Sequence, residues 1–463
     1  MSTINLRDDP LNSFIVAASV PLDSSHASGT LEQANALLEA HPHLATANIY
    51  TAALLGNEAG VRRFLAADSS QATAKGGPHG WDALTYLCFS RYLRLDRTRT
   101  DGFVGAARAL LDAGANANSG FFSNDHLPSP EFESVLYGAA GIAHEPKLTQ
   151  LLLERGANPN DGEVAYHTPE TWDNAALKLL VQTGQLTEDN LAIMLLRKTD
   201  WHDYEGVKWL LEQGVNPNRM TGWGKTALHN AALSDNAIEI FEVLLDHGAD
   251  PKLPGERPEA CRSAAGRTAI VIAARRGRGD VLNLLASRGV GFDLEGVDQL
   301  IAACAQDDSA QVRTLIDKEP HLVAELLREG GKLLAEFAGN GNTSGVRQLL
   351  DLGVPVTAVH VWGDGYFGVA RNSMALHAAA WRLQPETVKL LLERFAPVNV
   401  TDGEGRTPLA LAVSASVESY WREKRSSELV RALLERGASI REVKFPSGDA
   451  ELDALLKAQG AGA

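Results

Sequence analysis

GKTALHNAALSDNAIEIFEVLLDHGADPK, residues 224–252, holds the two phrases on which the reading of the whole chain rests. Its end, LLDHGADPK, closes a helix. The paired leucines complete an apolar stripe, Gly248 supplies the left-handed residue past the last turn, and Asp250 and Pro251 turn the chain. The same ending stands in LLDAGANAN (110–118), LLERGANPN (152–160), LLEQGVNPN (210–218) and LLERGASI (433–440). Gly114, Gly156, Gly184, Gly214, Gly248 and Gly289 follow in steps of 42, 28, 30, 34 and 41 residues, and Gly353 and Gly437 lie 84 apart.

The opening phrase, GKTALHNAA (224–232), recurs as GRTAIVIAA (266–274), SMALHAAA (373–380) and GRTPLALAV (405–413). These residues resemble the G-x-T-P-L-H-x-A-A pattern of the ankyrin-repeat family, nearly completely at 219–250 and more weakly over most of the chain. The resemblance implies that Gly and Thr shape a turn, Pro or Ala starts a first helix, Leu anchors it, and small alanines let helices pack closely. The glycine steps scatter around a period of ~33 residues, with insertions lengthening some of them. Degenerate units at 47–67, 188–214, 297–317 and 331–353 each read as two short apolar-striped helices with a polar break.

The expected fold is therefore all-α, an ankyrin-repeat solenoid of about twelve helix-pair repeats, with hairpin loops and several inserted fingers. Such units are stabilised by their neighbours. That assigns 1–46 to an N-terminal capping repeat, 47–440 to the solenoid and 441–463 to a C-terminal capping helix, whose polar residues around Glu451–Lys457 suit an exposed end.

The composition, 44% hydrophobic and 22% charged, is that of an ordinary globular chain. A formal charge of −15 argues against nucleic acid or an anionic membrane as the main partner, since both reward clustered Lys and Arg. Local basic patches remain compatible with it. Cys88, Cys261 and Cys304 are too few and too scattered for a disulfide framework, and no Cys/His spacing suggests zinc. With no leader-like N-terminus and no apolar run of ~18 residues, the expectation is a cytoplasmic protein without membrane insertion. The excess of Arg over Lys, with abundant Ala and Leu, fits a bacterial source.

Two motifs imitate cofactor sites. GDGYFG (363–368) satisfies G-x-G-x-x-G, which carries meaning only between a strand and a helix of a βαβ unit. Here it precedes SMALHAAA and reads as a finger between repeats. GKT (224–226) lacks the first glycine of a P-loop, position 219 being Arg. HPH (41–43) reads as a helix-end turn. No cofactor is expected.

Aromatic and polar groups gather on the first helices and the loops before them. They are Trp81, Asp82, Ser90 and Arg91; Tyr137; Tyr166, His167 and Glu170; Lys198, Asp200, Trp201, His202 and Asp203; Trp223 and His229; Arg275 and Arg276; Trp362, Asp364 and Tyr366; His377 and Trp381; Tyr420 and Trp421. A solenoid would set many of them on one curved face. Structural roles compete. The resemblance implies that His229 and His377 bond backbone of the adjoining repeat; Trp209 and Trp381 can cover helix ends; Arg275, Arg276 and Arg278 can form a solvated face or pair with carboxylates. Asp200, His202 and Asp203 suit a loop network and an acid/base site equally.

Taken together, aromatic residues with Arg and His are the currency of binding hot spots. Trp81, Arg91, Tyr137, Tyr166, Trp201, Trp223, His229, Arg275, Tyr366, His377 and Trp381 are the candidate binding residues. Insertions at 119–132, 253–265, 356–372 and 414–427 add loop length where binding surfaces form. The first functional reading is a scaffold that recognises a protein or peptide in a concave groove and with its fingers. The alternative is an enzyme or small-molecule site, a hydrolase or lyase acting on a carbohydrate-like polyol, with Asp82, His167, Glu170, Asp200, His202, Asp203 or Asp364 as acid/base groups.

Overall fold

The two recurring phrases form the two ends of a helix pair. In Ala227–Leu233, Thr226 caps the first helix: its hydroxyl accepts from the His229 amide at 3.4 Å while His229 Nδ1 accepts from the Thr226 amide at 3.3 Å. The second helix, Ile238–Asp246, buries Ile240, Phe241, Val243 and Leu244. It ends where Gly248 takes a φ of +83° and the Ala249 amide donates back to Leu244 O at 3.0 Å. That return bond satisfies a carbonyl the helix would otherwise leave open. It recurs from Ala115, Ala157, Val215, Val290, Val354, Ala396 and Ala438 to Leu110, Leu152, Leu210, Leu285, Leu349, Leu391 and Leu433. The residue before the donor is Gly at each of these except Phe395, which adopts φ +64° with its ring 87% exposed.

The computed structural model describes residues 9–22, 26–123, 130–258 and 262–462, without the side chains of Trp421 and Arg422. It is an all-α ankyrin-repeat fold, and the chain divides between Gly222 and Trp223 into two compact units. In the first unit the pairs are Pro10–Ala18 with Glu32–Ala40, Ile49–Leu54 with Glu58–Ala67, Ala83–Cys88 with Thr100–Asp112, Val135–Tyr137 (continued as a wider turn through Ile142) with Pro146–Glu154, Gly162–His167 with Ala175–Gln182, and Glu188–Asp200 with Tyr204–Glu212. In the second they are Ala227–Leu233 with Ile238–Asp246, Ala269–Arg275 with Gly279–Ser287, Val297–Ala305 with Ser309–Lys318, Gly330–Gly339 with Thr343–Asp351, Ala375–Trp381 with Pro385–Glu393, and Pro408–Glu418 with Ser427–Glu435. An extra helix, His321–Arg328, precedes Gly330–Gly339, and Ala450–Ala458 packs on Ser427–Glu435.

Small residues set the spacing of the first helices: Ala231 and Ala232, Ala273 and Ala274, and Ala378–Ala380 are all buried. Asparagines join the turns of successive repeats. Asn118 accepts from the Asn158 amide at 2.7 Å and donates to Gly156 O at 2.9 Å; Asn399 does the same to Ser439 and Gly437 at 2.7 and 3.0 Å. Each such side chain satisfies backbone groups of the next turn that no ladder reaches.

The inserted segments take several forms. Gly120–Ser123 and Glu131–Ser134 pair as an antiparallel hairpin, and Val359–His360 pairs with Ser373–Met374. Between that second pair, GDGYFG forms a short turn closed by mutual backbone bonds of Asp364 and Val369, at 2.8 and 2.9 Å. The turn does not itself join a strand to a helix as a dinucleotide site requires, since the strand Ser373–Met374 intervenes before Ala375–Trp381. Cys88 and Cys304 are buried free thiols, and Cys261 lies outside the described residues. No described helix is long and apolar enough to cross a membrane.

Candidate functional site

The candidate residues part into three groups. The first is structural. Trp81, expected on an open binding face, is buried and stacks on Phe121 with ring centres 4.4 Å apart. Tyr137 is buried beside His167, at 5.2 Å. His229 Nε2 bonds Leu253 O at 2.9 Å and His377 Nε2 bonds Val400 O at 3.1 Å, so both fasten the backbone ahead of the next repeat. Asp82 caps Ala83–Cys88 by accepting from Thr85 N at 2.8 Å. Asp203 caps Tyr204–Glu212, accepting from Gly206 N at 2.9 Å, and holds the fully buried Lys198 at 2.8 Å. Arg91 donates to Ala17 O at 3.1 Å. Trp381 donates its indole N–H to Phe367 O. Each of these side chains thus serves its own repeat or the packing on a neighbouring segment, and no local pattern separates that use from binding. Trp223 is half-buried, Tyr420 is 55% exposed, and the Trp421 side chain is not described.

The second group, in the first unit, is a network around His167. Its Nδ1 and Nε2 face Glu170 at 2.9 Å and Glu163 at 3.2 Å. Arg197 bonds Glu170 and Asp200 and lies over the Tyr166 ring at 4.1 Å. Burial alone would lower the pKa of His167, but the two glutamates outweigh it and raise it to about 9, so the ring is an imidazolium at neutral pH. Trp201 meets Trp172 edge-on at 5.1 Å, and His202 turns the chain in the left-handed region at φ +50°. His167, Glu170 and Asp200 do come together, each with its charge answered by a neighbour. A cleft of about 640 Å³ lies nearby, lined by Asn118, Asn158, Asp161, Glu163 and Phe132. The amide of Asn118 and the carboxylate of Asp161, which accepts from Glu163 N at 2.9 Å, are already used by backbone.

The third group lies in the second unit, in a cleft of about 620 Å³ between the 356–372 finger and the helices Ala269–Arg275 and Gly330–Gly339. Its floor is an ion cluster. Arg276 meets Asp235 with two bonds of 2.6 Å, Glu336 at 3.0 Å and Asp364 at 3.3 Å, and Arg382 reaches Asp235 at 2.8 Å. Burial raises the Glu336 pKa, Arg276 opposes the rise, and Asp364 and Asp235 add to it. Arg275 is bound to Asp298 at 2.6 Å and Glu329 at 2.9 Å. The expected pairing of these arginines with carboxylates is what forms; the solvated-face alternative fails for Arg276 and Arg278, both buried.

The upper wall is of a different character. Trp362 is 76% exposed, and Tyr366 is partly exposed with the Arg262 guanidinium stacked 3.6 Å from its ring centre. Lys332 is exposed and Arg267 half-buried, and neither has a carboxylate partner among the described residues. Between these walls His360 is only 4% exposed, yet both ring nitrogens lack a hydrogen-bond partner. Burial first, then Lys332 and Arg276 against Asp364, lowers its pKa to about 4, so the ring is neutral. Sequence reasoning found Trp362, Asp364, Tyr366, Arg275 and Arg276 but missed Arg262, Arg267, Lys332, Glu336 and His360. The missed residues belong to three separate segments, and only folding makes them neighbours.

Comparison with known proteins agrees with the fold. The ankyrin-repeat model matches residues 172–255, 191–298 and 334–444, together just over half of the chain. The human transient receptor potential cation channel subfamily A member 1 is 24% identical over 302 residues, 63% of this chain and 23% of that protein. The chain thus spans about a quarter of the channel's length. The putative ankyrin repeat protein YahD of Escherichia coli K12 is 26% identical over 252 residues, 54% of this chain and 98% of that protein. The crystal structure of the human ASB11 ankyrin repeat domain aligns over 59% of this chain and 98% of its own, at 22% identity and a TM-score of 0.25. With a matched family model over just over half of the chain, and helix-end return bonds and capped first helices on the recurring phrases inside it, the chain belongs to the ankyrin-repeat family.

Proposed function

We propose that this protein is a recognition scaffold, and that the cleft under the 356–372 finger of the second unit receives an acidic segment of a protein partner. Ankyrin repeats generally serve protein–protein interaction, which supplies the class. The observation that carries the particular reading is the contrast between the two walls of the cleft. The floor carboxylates Glu336 and Asp364 are bound to one guanidinium, that of Arg276, which leaves them poorly placed for acid/base work and favours binding over catalysis. The upper wall offers Trp362, Lys332 and Arg267 with capacity to spare. An exposed aromatic beside cations, desolvated when a partner docks, is the composition of an interface hot spot, and a local positive wall on a chain of charge −15 selects an acidic partner by complementarity.

Selection from a random peptide-display library on the full-length chain tests this. Enriched peptides are expected to be rich in Asp and Glu and to bind a Trp362→Ala variant at least about tenfold more weakly, ~1.4 kcal/mol. Enrichment of neutral or basic peptides, or equal binding by the variant, would overturn the reading.

A further inference from the structure

His360 is a buried side chain on the cleft, and both of its ring nitrogens lack a hydrogen-bond partner. Buried polar groups are almost always paired, and an orphan calls for a partner that binds there. Its position in the strand Val359–His360, whose backbone pairs with Ser373–Met374, fixes the ring at the cleft. The ring is neutral, so it offers one donor and one acceptor. Lys332 and Arg276 both press on it with positive charge, and Asp364 alone of the facing carboxylates opposes them. Glu336, the other carboxylate of the cleft, is held by Arg276 at 3.0 Å. Also lining the cleft is Arg267, against whose cation burial and the charge of Arg275 work, while Asp298 and Glu329 give it some help. Each of these strains would be relieved by one negative group placed between Lys332, Arg267 and His360.

We propose that the cleft is an oxyanion site in which His360 donates a hydrogen bond to the ligand and Lys332 and Arg267 balance its charge. The ligand is an acidic side chain of the partner segment, a carboxylate or a phosphate, seated beside Trp362. This rests on the reading of the cleft as the recognition surface and specifies what enters it. A bound anion stabilises the protonated imidazole, so binding draws a proton onto His360 and tightens as pH falls toward the free-state value of about 4. The groups that set this linkage are Lys332, Arg276 and Asp364, with Glu336 lining the same cleft.

The test uses full-length protein with isotope-labelled histidine, the His360 ring signals being assigned by their loss in His360→Gln. The probes are the acetylated amides of glutamate, phosphoserine and glutamine. Glutamate or phosphoserine is expected to shift the His360 signals saturably and raise its pKa, at concentrations up to about 50 mM, where a millimolar site is filled. Whichever of the two binds more tightly identifies carboxylate or phosphate as the fitting group. The double variant Lys332→Ala/Arg267→Ala is expected to weaken the effect at least about fivefold, ~1 kcal/mol, with the other histidine signals in place as the control for folding. Silent His360 signals, an equal response to glutamine, or an undiminished response in the folded double variant would overturn the inference. If a display-selected peptide binds through Trp362 while His360 stays silent, the oxyanion site fails and the recognition scaffold stands. If no acidic peptide binds at all, both fail.

Discussion

Arg276 and Asp235, 41 residues apart, meet in a two-pronged ion pair, Nε to Oδ1 and Nη2 to Oδ2, both at 2.6 Å. The two side chains are 9% and 1% exposed, and Arg382, 147 residues from Asp235, adds a third bond at 2.8 Å. Removing the carboxylate leaves two buried guanidinium groups short of their counter-charge. Asp235→Ala is therefore expected to destabilise the second unit by about 3–5 kcal/mol, read as a lowered urea midpoint with unchanged slope. A loss under about 1 kcal/mol would show that the cluster behaves as surface charge.

The same carboxyl makes the second unit acid-sensitive. Burial acts to raise the Asp235 pKa, but Arg276 and Arg382 overcome it and hold the value well below the usual carboxylate range. A folded-state pKa below the unfolded one, about 3.9, contributes stability that is complete above the unfolded value and is lost as pH falls through the folded one. The difference in Tm between wild type and Asp235→Ala should stay level from neutral pH to about pH 4 and narrow below it.

His167 carries the opposite sign. Its pKa, raised to about 9, gives stability that is complete below the unfolded value near 6.5 and is lost as pH rises through about 9. His167→Gln should lower the Tm of the first unit at pH 6, and the deficit should close by about pH 10. A deficit that does not change with pH would mean that the ring acts by shape alone.

At Phe395 the repeat departs from its own rule. Of the eight second-helix ends named above, seven place Gly in the left-handed position, and Phe395 adopts it at φ +64° with little packing to compensate, being 87% exposed. The left-handed conformation costs a non-glycine residue roughly 1–2 kcal/mol, and glycine's greater unfolded-state freedom returns part of that. Phe395→Gly is expected to stabilise the second unit by about 0.5–1 kcal/mol, measured by denaturant unfolding.

What could be read from the sequence was what repeats. The Leu-Leu-x-x-Gly endings and the Thr-capped first helices act within a few residues of themselves, so GKTALHNAA and LLDHGADPK announce their geometry locally. The backbone bonds of His229 and His377 were legible only through the family resemblance, and both residues also stood among the candidate binding residues. The Asp235–Arg276–Arg382 cluster was not, because its members are joined by the stacking of non-adjacent segments and obey no period. Nor could type alone tell Trp81, buried on Phe121, from Trp362, exposed at the finger: both are tryptophans near inserted segments, and only the stacking of Phe121 on Trp81 separates them. His360 had no signal at all, since its meaning is a missing partner.

Trp362 offers a separation of stability from binding. At 76% exposure its truncation to alanine should change unfolding free energy by no more than about 0.5 kcal/mol, while costing at least about tenfold in affinity for an acidic peptide selected on the chain. A variant that loses binding only because it unfolds at lower denaturant would contradict this.

The most direct test of the cleft as the recognition site is a charge exchange. The dissociation constant of a selected acidic peptide is measured for wild type and for Lys332→Glu, and again for the peptide with its key Glu or Asp replaced by Lys. The account predicts that Lys332→Glu weakens the acidic peptide by about tenfold or more, ~1.4 kcal/mol, and that the lysine peptide binds the variant better than it binds wild type. Affinities within about twofold in all four combinations, ~0.4 kcal/mol, would contradict it.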